Sequence, residues 1–247
     1  MKELELLFEN AKATYLGLAQ QAPGFRVAET DAYTLVSSSF AHPVDNFAIG
    51  LSLDGSSAHE LASIAHRNAT FRIHNFPTDS PVEVPQLLIA ESLEELYAMR
   101  LMVFKGEPPS SPAVAREAKP GDLEKVIRFI VANFFWSSPV IIRETMAEIM
   151  LGAATRMGTH YLVESGDALV ACASLVTTPG AAGIYNVCVR PEERKKGLGG
   201  NLVHQLVAEA RLQELLPCLQ TDPDLESWYI QLGFRTVGSV RVFGAPS

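Results

Sequence analysis

The chain reads as an α/β (α+β) protein of two domains, and three observations lead there. Segments with helical and with strand-like spacing interleave along both halves of its 247 residues. A proline-rich stretch of small residues, Glu107-Pro-Pro-Ser-Ser-Pro112, lies between the halves. One continuous stretch, 184–210, passes from an apolar strand through a basic, glycine-rich turn into an amphipathic helix. Residues 1–112 are therefore expected to form a smaller N-terminal α/β domain, and residues 113–247 a second domain.

Composition supports packed cores, with 47% hydrophobic and 19% charged residues. The net charge is −8, and residues 1–112 hold most of it, with 7 Lys and Arg against 14 Asp and Glu. An acidic front half argues against nucleic acid as a partner. No apolar run approaches a membrane span, and Met1-Lys-Glu-Leu-Glu is too acidic for a signal or transit peptide. Cys172, Cys188 and Cys218 sit in apolar, strand-like runs without disulfide or zinc spacing, as buried thiols of a reducing compartment would. A cytoplasmic location is expected.

In the front half, Leu4–Gln21 has the spacing of an amphipathic helix ended by Pro23-Gly24. Tyr33–Phe40 and Phe47–Leu53 read as strands, closed by the turn Asp54-Gly55. A helix is expected from Ser57 to Arg67, a strand over Thr70–His74, and a loop over 76–81. Glu91–Tyr97 is expected to be helical and Leu101–Phe104 a short strand. His59 and His66 lie seven apart on one predicted helix, but zinc needs a tighter spacing and a third ligand, so no metal is expected.

In the back half, Ala113–Ala118 reads as a strand, and Pro120-Gly-Asp122 opens a helix carrying Leu123, Val126, Ile127 and Ile130. A loop with Phe134, Phe135 and Trp136 leads to a second helix over 139–150. Tyr161–Glu164 and Ala168–Val176 form a hairpin around Gly166-Asp167. The strand 184–189 follows, then a helix over 199–214, a strand over 217–220 and a helix over 224–231. Phe234–Val237 and Val240–Phe243 read as two final strand segments.

The stretch that organises this half is Ile184-Tyr-Asn-Val-Cys-Val-Arg-Pro-Glu-Glu-Arg-Lys-Lys-Gly-Leu-Gly-Gly200. Pro191 stops the strand. Arg190, Arg194, Lys195 and Lys196 precede three glycines in four positions, and Leu202, Val203, Leu206, Val207 and Ala210 recur on one helix face. Glycines let a ligand approach the backbone, and the first N–H groups of a helix are unpaired at its positive end. That is a site for an anion such as a pyrophosphate. It is not a P-loop, and the third glycine of a dinucleotide fingerprint is replaced by Leu202.

Val187-Cys-Val189 followed by Arg194-Lys-Lys-Gly197-Leu-Gly199 resembles the acyl-CoA signature of the GNAT superfamily of N-acyltransferases. Trp228-Tyr229-Ile-Gln-Leu232-Gly233-Phe234 is similar to the segment near the end of GNAT domains. The resemblance covers about the last 135 residues and implies a mixed, mostly antiparallel, twisted sheet flanked by helices. The run His42-Pro-Val-Asp-Asn-Phe47 and the stretch Leu93-Glu-Glu-Leu-Tyr97 resemble the degenerate first half of tandem GNAT proteins, with no phosphate loop.

The resemblance further implies acetyl-CoA as co-substrate. Val187, Cys188 and Val189 would meet the pantetheine arm, and Arg194, Lys195, Lys196, Gly197, Leu198, Gly199 and Gly200 the pyrophosphate. Val187 N–H would bind the oxyanion, and Tyr229 would protonate the departing thiolate. The base stays open. A glutamate position of the family holds Pro217, an asparagine position beside the cofactor holds Asp222, and Tyr185 and Asn186 are alternatives. An amine of a small molecule or peptide is the implied acceptor, with the chain a monomer or homodimer. Transfer to a hydroxyl, or a non-catalytic acyl-CoA-binding regulatory role, are the rival readings.

Overall fold

The computed structural model describes residues 2–106, 113–156 and 158–246; the linker expected at 107–112 lies outside them. In chain order the elements are α1 (Lys2–Ala19), β1 (Arg26–Glu29), β2 (Thr34–Ser37), β3 (Phe47–Ile49), α2 (Gly55–Arg67), β4 (Arg72–Asn75), α3 (Val84–Ala90) and β5 (Glu94–Phe104). Then follow β6 (Arg116–Glu117), α4 (Leu123–Phe134), α5 (Val140–Ala153), β7 (Thr159–Ser165), β8 (Ala168–Thr178), β9 (Ala181–Val189), α6 (Leu198–Leu212), β10 (Leu216–Thr221), α7 (Glu226–Gln231) and β11 (Phe234–Gly244). The class is the expected α/β one, with mostly antiparallel ladders flanked by helices.

By their contacts the residues form two compact units. One comprises Met1–Met102, Gln220–Ser227 and Thr236–Ser247; the other comprises Val103–Leu219 and Trp228–Arg235.

In the first unit β1–β2 and β2–β3 are antiparallel, β3–β4 is parallel with Ile49 opposite His74, and β4 pairs antiparallel with β11. The parallel pair needs a crossover, and α2 supplies it. Leu61, Ala62 and Ala65 of α2 are buried against Ala48, Phe71, Ile73 and Phe243. Each such large side chain contributes about 1.5–3 kcal/mol by leaving water. A capping box starts α2: the Asp54 carboxylate accepts from Ser57 N at 2.8 Å, and Ser57 Oγ accepts from Asp54 N at 2.9 Å.

The second unit repeats that plan. β6–β7, β7–β8 and β8–β9 are antiparallel, while β9–β10 is parallel with α6 as its crossover. The α6 face predicted from spacing, Leu202, Val203, Leu206, Val207 and Ala210, is fully buried. Cys172, Cys188 and Cys218 are buried free thiols, as expected.

Two expectations are corrected. Glu91–Tyr97 is not helical: α3 ends at Ala90, and Glu94 already belongs to β5. Pro85 in the first turn of α3 fits a helix start, and the chain turns at Ser92 with φ 63°. The last two strand segments are one strand, β11, running through Gly238. A Cβ at Gly238 would stand 2.9 Å from Pro77 Cγ, so this glycine serves close packing and makes no turn.

Asp45 carries a stability prediction. It is fully buried, and neither carboxylate oxygen has a hydrogen-bond partner among the described residues. Burial pushes its pKa up to about 7 from 3.8. The folded state therefore holds a proton that the unfolded chain has lost, and this group's contribution falls as pH rises from about 4 to 7. Asp45→Asn abolishes that titration. At pH 8 the variant is expected to be roughly 1–3 kcal/mol more stable than wild type, with the advantage gone at pH 4. Thermal melts of both proteins at the two pH values check it; parallel pH slopes would refute the assignment.

Candidate active site

The parallel pair of the second unit comes apart. β9 and β10 are in register only at Ala181–Leu216, Ala182–Pro217 and Gly183–Cys218. β9 then runs six residues further, to Val189, without a register partner on that edge. On its other edge the ladder to β8 slips: Cys172 faces Cys188, yet Ser174 faces Tyr185. Asn186 and Val187 thus share one place opposite Ala173, which is a bulge. Asn186 takes φ 54°, a left-handed conformation that asparagine tolerates better than most residues. Val187, half-buried, has no register partner on either neighbouring strand.

A buried chain of hydrogen bonds leads to this bulge. His160 Nε2 lies 3.2 Å from the Ala154 carbonyl oxygen at the end of α5. A carbonyl only accepts, so Nε2 carries the proton. Burial holds the His160 pKa down, so the ring is neutral and Nδ1 is an acceptor. The Ser174 hydroxyl donates to Nδ1 at 2.8 Å, and Ser174 Oγ in turn accepts from Asn186 Nδ2 at 3.1 Å. His160 and Ser174 are 4% and 1% exposed. Sequence reasoning missed both. The available signal was Ser174 itself, the one polar residue in Ala168–Val176.

After β9 a short 3-10 turn, Pro191–Glu193, leads into the basic loop. Arg194 folds back, its Nε donating to the Val189 carbonyl at 3.1 Å, while Lys196 pairs with Glu193 at 3.1 Å. Lys195 (φ 62°) and Gly197 (φ 82°) both take left-handed conformations. Gly197 is the N-cap of α6 and offers no side chain to the N–H groups behind it. The first backbone bond into the helix is Asn201 N to Gly197 O, so the N–H groups from Lys195 to Gly200 have no acceptor among the described residues. The glycines divide their work. Gly197 provides the positive φ, whereas Cβ atoms at Gly199 and Gly200 would meet Val189 and Trp228, and Leu232, at 3.2–3.7 Å.

Tyr229 on α7 is buried, with ring centroids 4.6 Å from Trp228 and 5.7 Å from Phe234. Burial, with the nearby Cys188 thiol adding to it, pushes the phenol up to about 12. The Tyr229 proton is therefore retained throughout the physiological range. The structure thus brings Val187, Cys188, Val189, the 194–200 loop and Tyr229 together in one unit. Asp222 belongs to the first unit, and its carboxylate is engaged as a cap, accepting from Asp224 N at 2.8 Å.

Phe134 and Trp136 at the end of α4 are 56% and 74% exposed. His59 and His66 both bond Glu91, through its carboxylate at 2.7 Å and its backbone carbonyl at 3.2 Å. Among the described residues no group of three or more His, Cys, Asp or Glu could hold a metal, and no helix is long and apolar enough to cross a membrane.

Residues 156–236 match the family model described as an acetyltransferase (GNAT) domain. No curated protein matches the chain. Among solved structures, a GCN5-related N-acetyltransferase from Kribbella flavida is similar at 16% identity and TM-score 0.65, covering 96% of this chain and 94% of that one. A tandem GNAT protein from the clavulanic acid biosynthesis pathway is similar at 13% identity and TM-score 0.64, covering 99% and 94%. A GNAT-family acetyltransferase from Colwellia psychrerythraea is similar at 12% identity and TM-score 0.62, covering 95% and 89%. At these identities the TM-scores show a shared fold, and the likeness extends over both halves of the chain.

Proposed function

We propose that the protein transfers an acetyl group from acetyl-CoA to an amine, since residues 156–236 match the acetyltransferase (GNAT) domain model and the chain shares the fold of a tandem GNAT protein. The acceptor is a small molecule or peptide that attacks the thioester directly. The observation that carries this reading is the row of unpaired N–H groups from Lys195 to Gly200 beside the open edge of β9.

The residues fit the co-substrate. The N-terminus of α6 and the exposed Arg194, Lys195 and Lys196 offer a positive, donor-rich cradle for a pyrophosphate. The edge of β9 beyond Gly183 can pair with an extended pantetheine arm as a strand would. The thioester carbonyl would then accept from Val187 N–H, which holds the oxyanion as it forms. Tyr229 holds the proton for the departing thiolate, and the amine proton passes to water, which Tyr185 and Asn186 on β9 are placed to hydrogen-bond. Pro217 has no basic atom to serve there.

The test is a thiol-release assay with acetyl-CoA against amines, amino acids, alcohols and peptides. Acceptor-dependent release, one thiol per acetyl group transferred, is expected with amines. Release with alcohols alone would assign transfer to oxygen. Binding of acetyl-CoA without release across the panel would assign the non-catalytic role instead.

The first unit is expected to hold no acetyl-CoA. Its α2 begins where α6 does in its own parallel pair, but the Asp54 carboxylate and Ser57 already fill the helix N-terminus. Hydrogen bonds from Ser57 keep that carboxyl below its usual range, so it stays an anion. Calorimetry should give one acetyl-CoA per chain. A stoichiometry of two would overturn this.

A further inference from the structure

We propose that His160 and Ser174 are positioning residues for the transfer, locking the Asn186–Val187 bulge so that the Val187 N–H stays aimed at the thioester carbonyl. The proposal rests on the reading that acetyl-CoA lies along β9.

Three features carry it. The chain from Ala154 O through His160 and Ser174 to Asn186 has one internal polarity, dictated by a carbonyl that can only accept. It therefore fixes which end of the Asn186 amide faces Ser174. It ends on Asn186, the bulge residue in the left-handed region, next to Val187, which like Asn186 has no register partner on either neighbouring strand. His160 and Ser174 are buried among apolar neighbours on β7 and β8, where polar side chains persist only if paired, and Asn186 is half-buried. A bulge held only by its ladder could relax toward regular register, which would turn the Val187 N–H to face β8.

Capping the α5 carbonyl alone would also explain a buried histidine, so the test must read the carbonyl of the substrate. The probe is acetyl-CoA with ¹³C at the thioester carbonyl, followed by infrared difference spectroscopy. In wild type the bound carbonyl band is expected at lower frequency than in free acetyl-CoA. Ser174→Ala removes the hydroxyl without adding bulk. It is expected to lose most of that shift and the preference for acetyl-CoA over CoA, while CoA affinity stays within about 2-fold of wild type. With an acceptor in hand, kcat should fall roughly 10–100-fold at unchanged KM for acetyl-CoA. Ser174→Thr keeps the hydroxyl and should restore the shift. His160→Phe breaks the same chain one link earlier and is read in the same way should Ser174→Ala not fold. A folded Ser174→Ala that keeps the full shift overturns the relay alone. A wild type that binds no acetyl-CoA overturns the relay together with the site.

Discussion

Tyr229→Phe should turn over roughly 10²–10⁴-fold more slowly than wild type, with acetyl-CoA affinity nearly unchanged. The substitution keeps a ring that packs on Trp228 and Phe234 and deletes only the hydroxyl. In the proposed mechanism its proton goes to the departing thiolate. A free phenol near pKa ~10 lies modestly above a thiol near ~8.5. Burial has raised this one to about 12, so the transfer depends more heavily on placement at the sulfur than on proton affinity. The same shift has a sign that can be checked. The acid form persists up to about pH 12, so no loss of kcat below pH 10 can come from Tyr229. Steady-state kinetics of the variant, beside a thermal melt, decide the matter. A folded variant within a few-fold of wild type would reduce Tyr229 to a packing residue.

Gly197→Asp should weaken acetyl-CoA binding by roughly 100-fold. Nothing in the protein lies within 4 Å of a Cβ at this position, so a collision with the fold is not the cause. Two other effects are. The residue sits at φ 82°, which an L side chain adopts at some strain, and the new carboxylate stands among the N–H groups that would receive the pyrophosphate. Gly197→Ala separates them, since it shares the strain and lacks the charge; a loss of only a few-fold is expected there. Calorimetry with both variants is the measurement. Equal affinity of wild type and Gly197→Asp would remove the 195–200 loop from the site.

How much of this was legible follows from which signals are local. The strand, basic turn and helix from Ile184 to Ala210 are written in adjacent residues, and the structure keeps them with end shifts of three residues or fewer. β1 is exposed at all four positions, so burial left no pattern to find. Glu91–Tyr97 carries leucines at helical spacing, but the chain turns at Ser92 and from Glu94 on it is strand β5, so the local preference loses. The final strand reads as two segments because the packing partners of Gly238, Pro77 and Leu4, are more than 160 positions away in the chain. The bulge at Asn186 has no sequence mark, because it is a slip of two strands against each other. His160 and Ser174 are fourteen residues apart and meet only through that pairing.

The Asp54 cap has a consequence for how the two halves can diverge. A helix start that carries its own counter-ion is buffered against gaining a phosphate ligand by small steps. Replacing Asp54 alone forfeits the capping box and supplies no cations; adding a basic residue alone gives the carboxylate an ion-pair partner. Neither single change moves the front half toward binding a nucleotide. Drift there is thus channelled into other uses of the surface, while the α6 loop, which has no such buffer, is expected to give up the proposed pyrophosphate contact to a single substitution.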